Sequence, residues 1–167
     1  DNNPDILNLK NGLFDLKTFK LCPHSPEYYS VVQFHVKYDP EAKCPTVLHY
    51  LRTTLRGPDV KKVLALGACV ITRNTNFQIS GLTIGEGNNG KGVFNNLNMA
   101  LIGKENVSSV SIQELESDRF SVADLFGKVL NVCGDLPSKS LSDTSIFKKI
   151  VGGDLIRAQR KFGQPFS

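Results

Sequence analysis

A chain of 167 residues with 40% apolar content is long enough to bury a sizeable core, and no apolar run approaches the roughly 20 residues that a bilayer crossing needs. Its formal charge of +4 is too mild on its own to announce a nucleic-acid binder. Cys22, Cys44, Cys69 and Cys133 form no C-x-x-C pair and no secretory leader pattern precedes them, so free, reduced thiols in an intracellular protein are expected.

In chain order, residues 6–10 and 13–17 flank Asn11-Gly12, a junction suited to a tight turn between antiparallel strands. Residues 21–30 carry Pro23 and Pro26 and read as loop. Cys22 and His24 are metal-type side chains, but no second pair follows at zinc spacing. The alternation over residues 31–38 predicts a further strand. Pro40 and Pro45 mark a helix start, and Val47, Leu48, Leu51 and Leu55 recur at helical spacing over residues 46–56. A second helix is expected from Asp59 to about Ile71, its apolar stripe packing against the first. Arg73-Asn74-Thr75-Asn76 then joins a small leading region, residues 1–72, to a core over residues 73–167.

Residues 77–84 read as a strand that runs into Gly85-Glu86-Gly87-Asn88-Asn89-Gly90-Lys91-Gly92, and Val93 to Leu101 continue as a mostly apolar helix. This loop fits the phosphate-binding pattern G-x-x-x-x-G-K-[ST] at every fixed position except the last. Gly85, Gly87 and Gly90 leave room for backbone N–H groups to converge on phosphate oxygens, and a helix N-terminus behind them favours anions. Residues 85–93 are therefore the expected ATP-binding segment, with Lys91 reaching the β- and γ-phosphates as a point charge. Gly92 stands where a hydroxyl usually meets Mg²⁺, which makes nucleotide binding a firmer expectation than fast hydrolysis.

Beyond that helix the pattern predicts a turn over residues 103–106, a strand over 107–111 and an acidic helix over 112–124. Lys128-Val129-Leu130-Asn131-Val132-Cys133-Gly134-Asp135 is an apolar strand ending in an acid, which is what a phosphate loop needs beside it to hold Mg²⁺. Asp135 is thus the expected metal-orienting and catalytic carboxylate beside Lys91. Ser142-Asp143-Thr144 supplies cap chemistry for a helix through Ile150, and Gly152-Gly153 ends it. Residues 154–163 follow as a strand entering a basic hairpin tip. Between Lys139 and Lys161 basic side chains dominate, and the cations beside Phe162 suit a single-stranded backbone with bases stacked alongside.

These stretches together resemble the superfamily 3 helicases, in particular the helicase region of phage, plasmid and poxvirus-type primases. Residues 8–17, Pro23-His24-Ser25-Pro26-Glu27-Tyr28-Tyr29 and Tyr38-Asp39-Pro40 are similar to the small region preceding the core there. Residues 86–91 resemble Walker A and residues 131–137 resemble Walker B. Ile146-Phe147-Lys148-Lys149, Gly152-Gly153-Asp154-Leu155-Ile156-Arg157-Ala158 and Lys161 resemble motif B prime.

The resemblance implies an α/β, AAA+-like P-loop NTPase core preceded by a small α+β region. It further implies a hexameric ring, ATP and Mg²⁺ as ligands, and movement along single-stranded DNA gripped through Arg157, Arg160 and Lys161. A primase domain or other replication proteins are the implied partners, and a host cell's cytoplasm the implied location. Gly134 replaces a second acid common in the superfamily, and the chain stops before motif C, so the core is expected to be truncated at its C-terminus. The alternative is a nucleotide-binding replication module that recruits or loads partners without efficient hydrolysis.

Overall fold

The computed structural model describes residues 5–73, 75–135 and 142–167. Its contacts divide the chain into two compact units: Asp1–Asn74 with Gly81–Gly103, and Thr75–Ser80 with Lys104–Ser167.

The first unit opens on an antiparallel meander of β1 (Ile6–Leu9), β2 (Gly12–Asp15) and β3 (Lys20–Cys22), in which Leu9 faces Gly12 and Leu13 faces Cys22. The hairpin forms as expected, but its two turn residues are Lys10 and Asn11, and Gly12 already belongs to β2. Asn11 is drawn out of the Asn-Gly role because its side chain clamps Tyr38. Asn11 Nδ2 donates to the Tyr38 carbonyl at 2.8 Å, and Tyr38 N donates to Asn11 Oδ1 at 2.9 Å. The strand expected over residues 31–38 is an extended run rather than a full ladder. It makes one parallel bridge, Leu9 to Phe34, with bonds from Phe34 N to Asn8 O and from Lys10 N to Val36 O. The period-2 pattern still holds, since Val32 and Phe34 are buried while Val31, Gln33 and His35 are exposed. With Leu7, Leu9 and Phe14, these two form the core of the meander, each contributing roughly 1.5–3 kcal/mol of burial.

The helices α1 (Pro45–Thr54) and α2 (Gly57–Thr72) follow, each with proline in its first turn, where the missing N–H has no helical partner to lose. They adjoin, as their stripes predict. Leu51 of α1 is buried, whereas α2 buries none of its residues fully and leaves Leu64 exposed. Arg73 closes α2 in the left-handed region, its N–H returned to Cys69 and Val70 carbonyls. The unit ends with α3 (Lys91–Ile102), whose last residue, Ile102, is completely buried.

In the second unit β4 (Val107–Ser108) and β5 (Leu130–Asn131) pair in parallel, extended by bonds from Val129 N to Asn106 O and from Val132 N to Ser108 O. Between them runs α4 (Ile112–Ser117), shorter than the helix expected over residues 112–124 because Asp118 leaves the helical conformation and residues 121–125 continue as a 3-10 turn. The start of α4 is a complete capping box: Glu114 N donates to Ser111 Oγ at 3.1 Å and Ser111 N donates to Glu114 Oε2 at 2.7 Å. Then come α5 (Ser145–Gly152), closed by a left-handed Gly153, and the hairpin of β6 (Ala158–Gln159) and β7 (Pro165–Phe166). Phe166 packs edge-on to Phe126 at 4.9 Å between ring centres, seating the hairpin on the 3-10 turn.

The strand expected over residues 77–84 does not form. These residues run as turn and irregular backbone, and Phe77, Ile79, Leu82 and Ile84 are all more than half exposed. A β-strand is held by its neighbours more than by its own propensity, and no sheet of the described residues takes in this run.

Candidate functional site

The glycine-rich loop lies exposed through residues 85–88 and becomes half-buried from Asn89 to Lys91, where α3 begins. Gly90 caps α3 at φ 88° and ψ −2°, a left-handed conformation that a side chain would strain. Asn88 is left-handed too, at φ 56°, and asparagine tolerates this better than most residues. Gly85 matters for a different reason: a Cβ there would collide with the Asn89 side-chain amide. Gly87 has open space around it and no positive φ, so the freedom read into it from the sequence is not what bends the loop.

The Lys91 ammonium closes over the loop. It donates to the Gly85 carbonyl at 2.7 Å, to the Glu86 carbonyl at 2.9 Å and to Asn89 Oδ1 at 2.9 Å. A lysine has three donors, so all of them are engaged with the loop's own oxygens. Chemically the loop is a preassembled ring around one cation, open to solvent, with unobstructed Cα positions at Gly87 and Gly92. The other expected ATP-binding residues, Glu86 and Val93, are exposed on either side.

From α1, Tyr50 reaches the loop: its hydroxyl donates to the Gly90 carbonyl at 2.8 Å. Burial pushes the Tyr50 phenol above the ordinary tyrosine range, further from the neutral pH at which any phenol is already a donor. Sequence reasoning placed α1 in a purely local core and missed this residue. The signal was the aromatic with a polar end on the face shared with Val47 and Thr54.

Asp135 lies exposed beyond β5, and Pro137 and Lys139, which also entered the sequence reading, fall outside the described residues. No cluster of three or more His, Cys, Asp or Glu side chains suited to a metal ion occurs among the described residues. Asn131, in the same stretch as Asp135, is a structural clamp: its Oδ1 accepts from Ser108 Oγ and Val110 N, both at 2.9 Å, and its Nδ2 donates to the Val110 carbonyl at 2.8 Å. Cys22 is a free, exposed thiol, and His24 Nε2 donates to the Leu9 carbonyl at 2.8 Å, a structural use of the ring.

Arg157, Arg160 and Lys161 are all exposed, the last two at the tip between β6 and β7. Gly163 N donates to Arg160 O at 2.9 Å and Gln159 Nε2 to the Gly163 carbonyl at 3.0 Å, which folds the tip back on itself. Phe162 projects from it 97% exposed, with the Lys161 ammonium 5.5 Å from its ring centre. The hairpin expected over these residues forms, with strands shorter than the pattern implied.

Residues 83–167, just over half of the chain, match the model of a family of unknown function, DUF5906. The chain belongs to that family. The DUF5906 match takes in the glycine-rich loop, α3, the parallel pair, α5 and the basic hairpin. Residues 1–56 match a second model, described as D5 N terminal like, which spans the meander and α1 with Tyr50. The chain's leading region is thus of the kind found in phage and viral primase–helicase replication proteins. No helix among the described residues is long and apolar enough to cross a membrane.

Proposed function

We propose that this DUF5906 member is part of an ATP-dependent replicative DNA helicase of the superfamily 3 type, built on a P-loop NTPase core. ATP is held by residues 85–93, with Lys91 on the β- and γ-phosphates and Asp135 orienting Mg²⁺. Single-stranded DNA is held by Arg157, Arg160 and Lys161, and the active assembly is a hexameric ring. The observation that carries the reading is the lysine-centred loop at the start of α3: a glycine-rich ring with one ammonium at its middle and open to solvent. The D5-like leading region supports the replication context.

Gly92 favours a second reading, a nucleotide-binding replication module that recruits or loads partners with little turnover, because the hydroxyl that normally meets Mg²⁺ is missing. Calorimetric titration of Mg·ATP into the chain and into Lys91→Ala tests the shared part. Binding lost at least tenfold in the variant supports it, and equal binding, or none in either, removes it. Turnover with and without single-stranded DNA then separates motor from module, since only the motor is stimulated by DNA.

A further inference from the structure

We propose that Tyr50 is a positioning residue of the nucleotide loop, its hydroxyl fixing the Gly90 carbonyl and thereby the direction of the Lys91 backbone N–H. The role rests on the nucleotide reading given above.

A peptide unit is planar and trans, so the carbonyl of Gly90 and the N–H of Lys91 point in opposite directions and turn together. Lys91 is the first helical residue of α3, and its N–H is one of the helix's orphan donors, the kind that a phosphate oxygen completes. Gly90 on its own sets this plane weakly, because glycine has shallow torsional preferences. Two donors hold the plane from the carbonyl side: Phe94 N at 3.0 Å, the first bond of the helix, and Tyr50 Oη at 2.8 Å. Together they fill both lone pairs of the oxygen.

The packing is equally specific. A Cβ on Gly90 would stand 3.1 Å from Tyr50 Cε2, 3.2 Å from its hydroxyl and 3.3 Å from Thr54 Cγ2, so the ring and Thr54 form the floor on which the end of the loop rests. Tyr50 lies in the region that matches the D5 N-terminal-like model and Gly90 in the DUF5906 region, so the leading segment contributes directly to the geometry of the phosphate loop.

The experiment compares the full chain with Tyr50→Phe, Leu51→Val and Lys91→Ala. It measures the Kd for Mg·ATP by calorimetry, the thermal midpoint without nucleotide, and the backbone amide resonance of Lys91. Tyr50→Phe keeps the ring and deletes one hydrogen bond, so the Kd is expected to rise about three- to tenfold and the Lys91 resonance to move before nucleotide is added. Leu51→Val trims the buried core of the same helix; it is expected to lower the midpoint while holding Kd within about twofold and leaving the Lys91 resonance in place. A Kd for Tyr50→Phe within twofold of the parent overturns the positioning role and leaves the nucleotide reading standing, as does a Leu51→Val Kd that rises equally. A parent chain that binds Mg·ATP no better than Lys91→Ala overturns the nucleotide reading, and the positioning role with it.

Discussion

Tyr50 on α1 and Gly90 at the start of α3 are joined by a 2.8 Å hydrogen bond, and the ring stands so near that a Cβ on Gly90 would lie 3.1 Å from Tyr50 Cε2. Gly90→Ala strains this junction twice, through a positive φ and through a methyl set 3.1 Å from the ring. The expected loss of stability is about 1–3 kcal/mol, read by urea unfolding. An alanine variant as stable as the parent would mean that the left-handed cap is not required.

Asn89 Oδ1 accepts from the Lys91 ammonium at 2.9 Å, and on the nucleotide reading this bond would have to yield to phosphate. Asn89→Ala removes one of the three acceptors that bind Lys91 at rest, so less has to be broken when ATP enters. Mg·ATP affinity is expected to increase by about two- to fivefold, from loss of one hydrogen bond of ordinary net strength. Weaker binding in that variant would instead make Asn89 a ligand contact.

The capping box of α4 gives a pH signature. The backbone N–H and then the hydroxyl of Ser111 hold the Glu114 carboxyl below the usual glutamate range. Because the folded pKa is lowered, the stabilisation is complete above the pKa of an unfolded glutamate and disappears as pH falls from there through the lower folded value. Glu114→Gln is expected to flatten the acid limb of the thermal midpoint over that window. Ser111→Ala is expected to lower stability at neutral pH by about 1 kcal/mol.

Asn131 ties β4 to β5 through three bonds to Ser108 and Val110. Asn131→Ala leaves those groups to water or to nothing, with an expected loss of about 1–3 kcal/mol in chemical denaturation. Asn131→Asp restores the acceptor without the donor and should fall between the two.

At the hairpin tip, Lys161→Ala is expected to weaken single-stranded DNA binding and to reduce the slope of log affinity against log salt by about one, while leaving nucleotide affinity unchanged. An unaltered slope takes Lys161 out of the DNA contact.

What the sequence made legible follows from how local each signal is. The loop at 85–92, the prolines that start α1 and α2, the glycine that ends α5 and the hairpin around Phe162 each depend on a few adjacent residues, and each formed. The run 77–84 reads as a strand from its apolar side chains, yet a strand is completed by partners elsewhere, and it stands unpaired. Tyr50 and Asn131 lay hidden for the same reason. A tyrosine on an apolar stripe and an asparagine inside a strand pattern look ordinary until distant backbone arrives to meet them.

The three oxygens around the Lys91 ammonium also bear on discrimination among anions. A resting cation already satisfied by its own loop offers little to a lone chloride, which must displace one neutral oxygen at a time. On the nucleotide reading, a chain of linked phosphates would present several charged oxygens in a single encounter and would displace these acceptors more readily, so the resting loop would favour a polyanion over chloride before any recognition of a base.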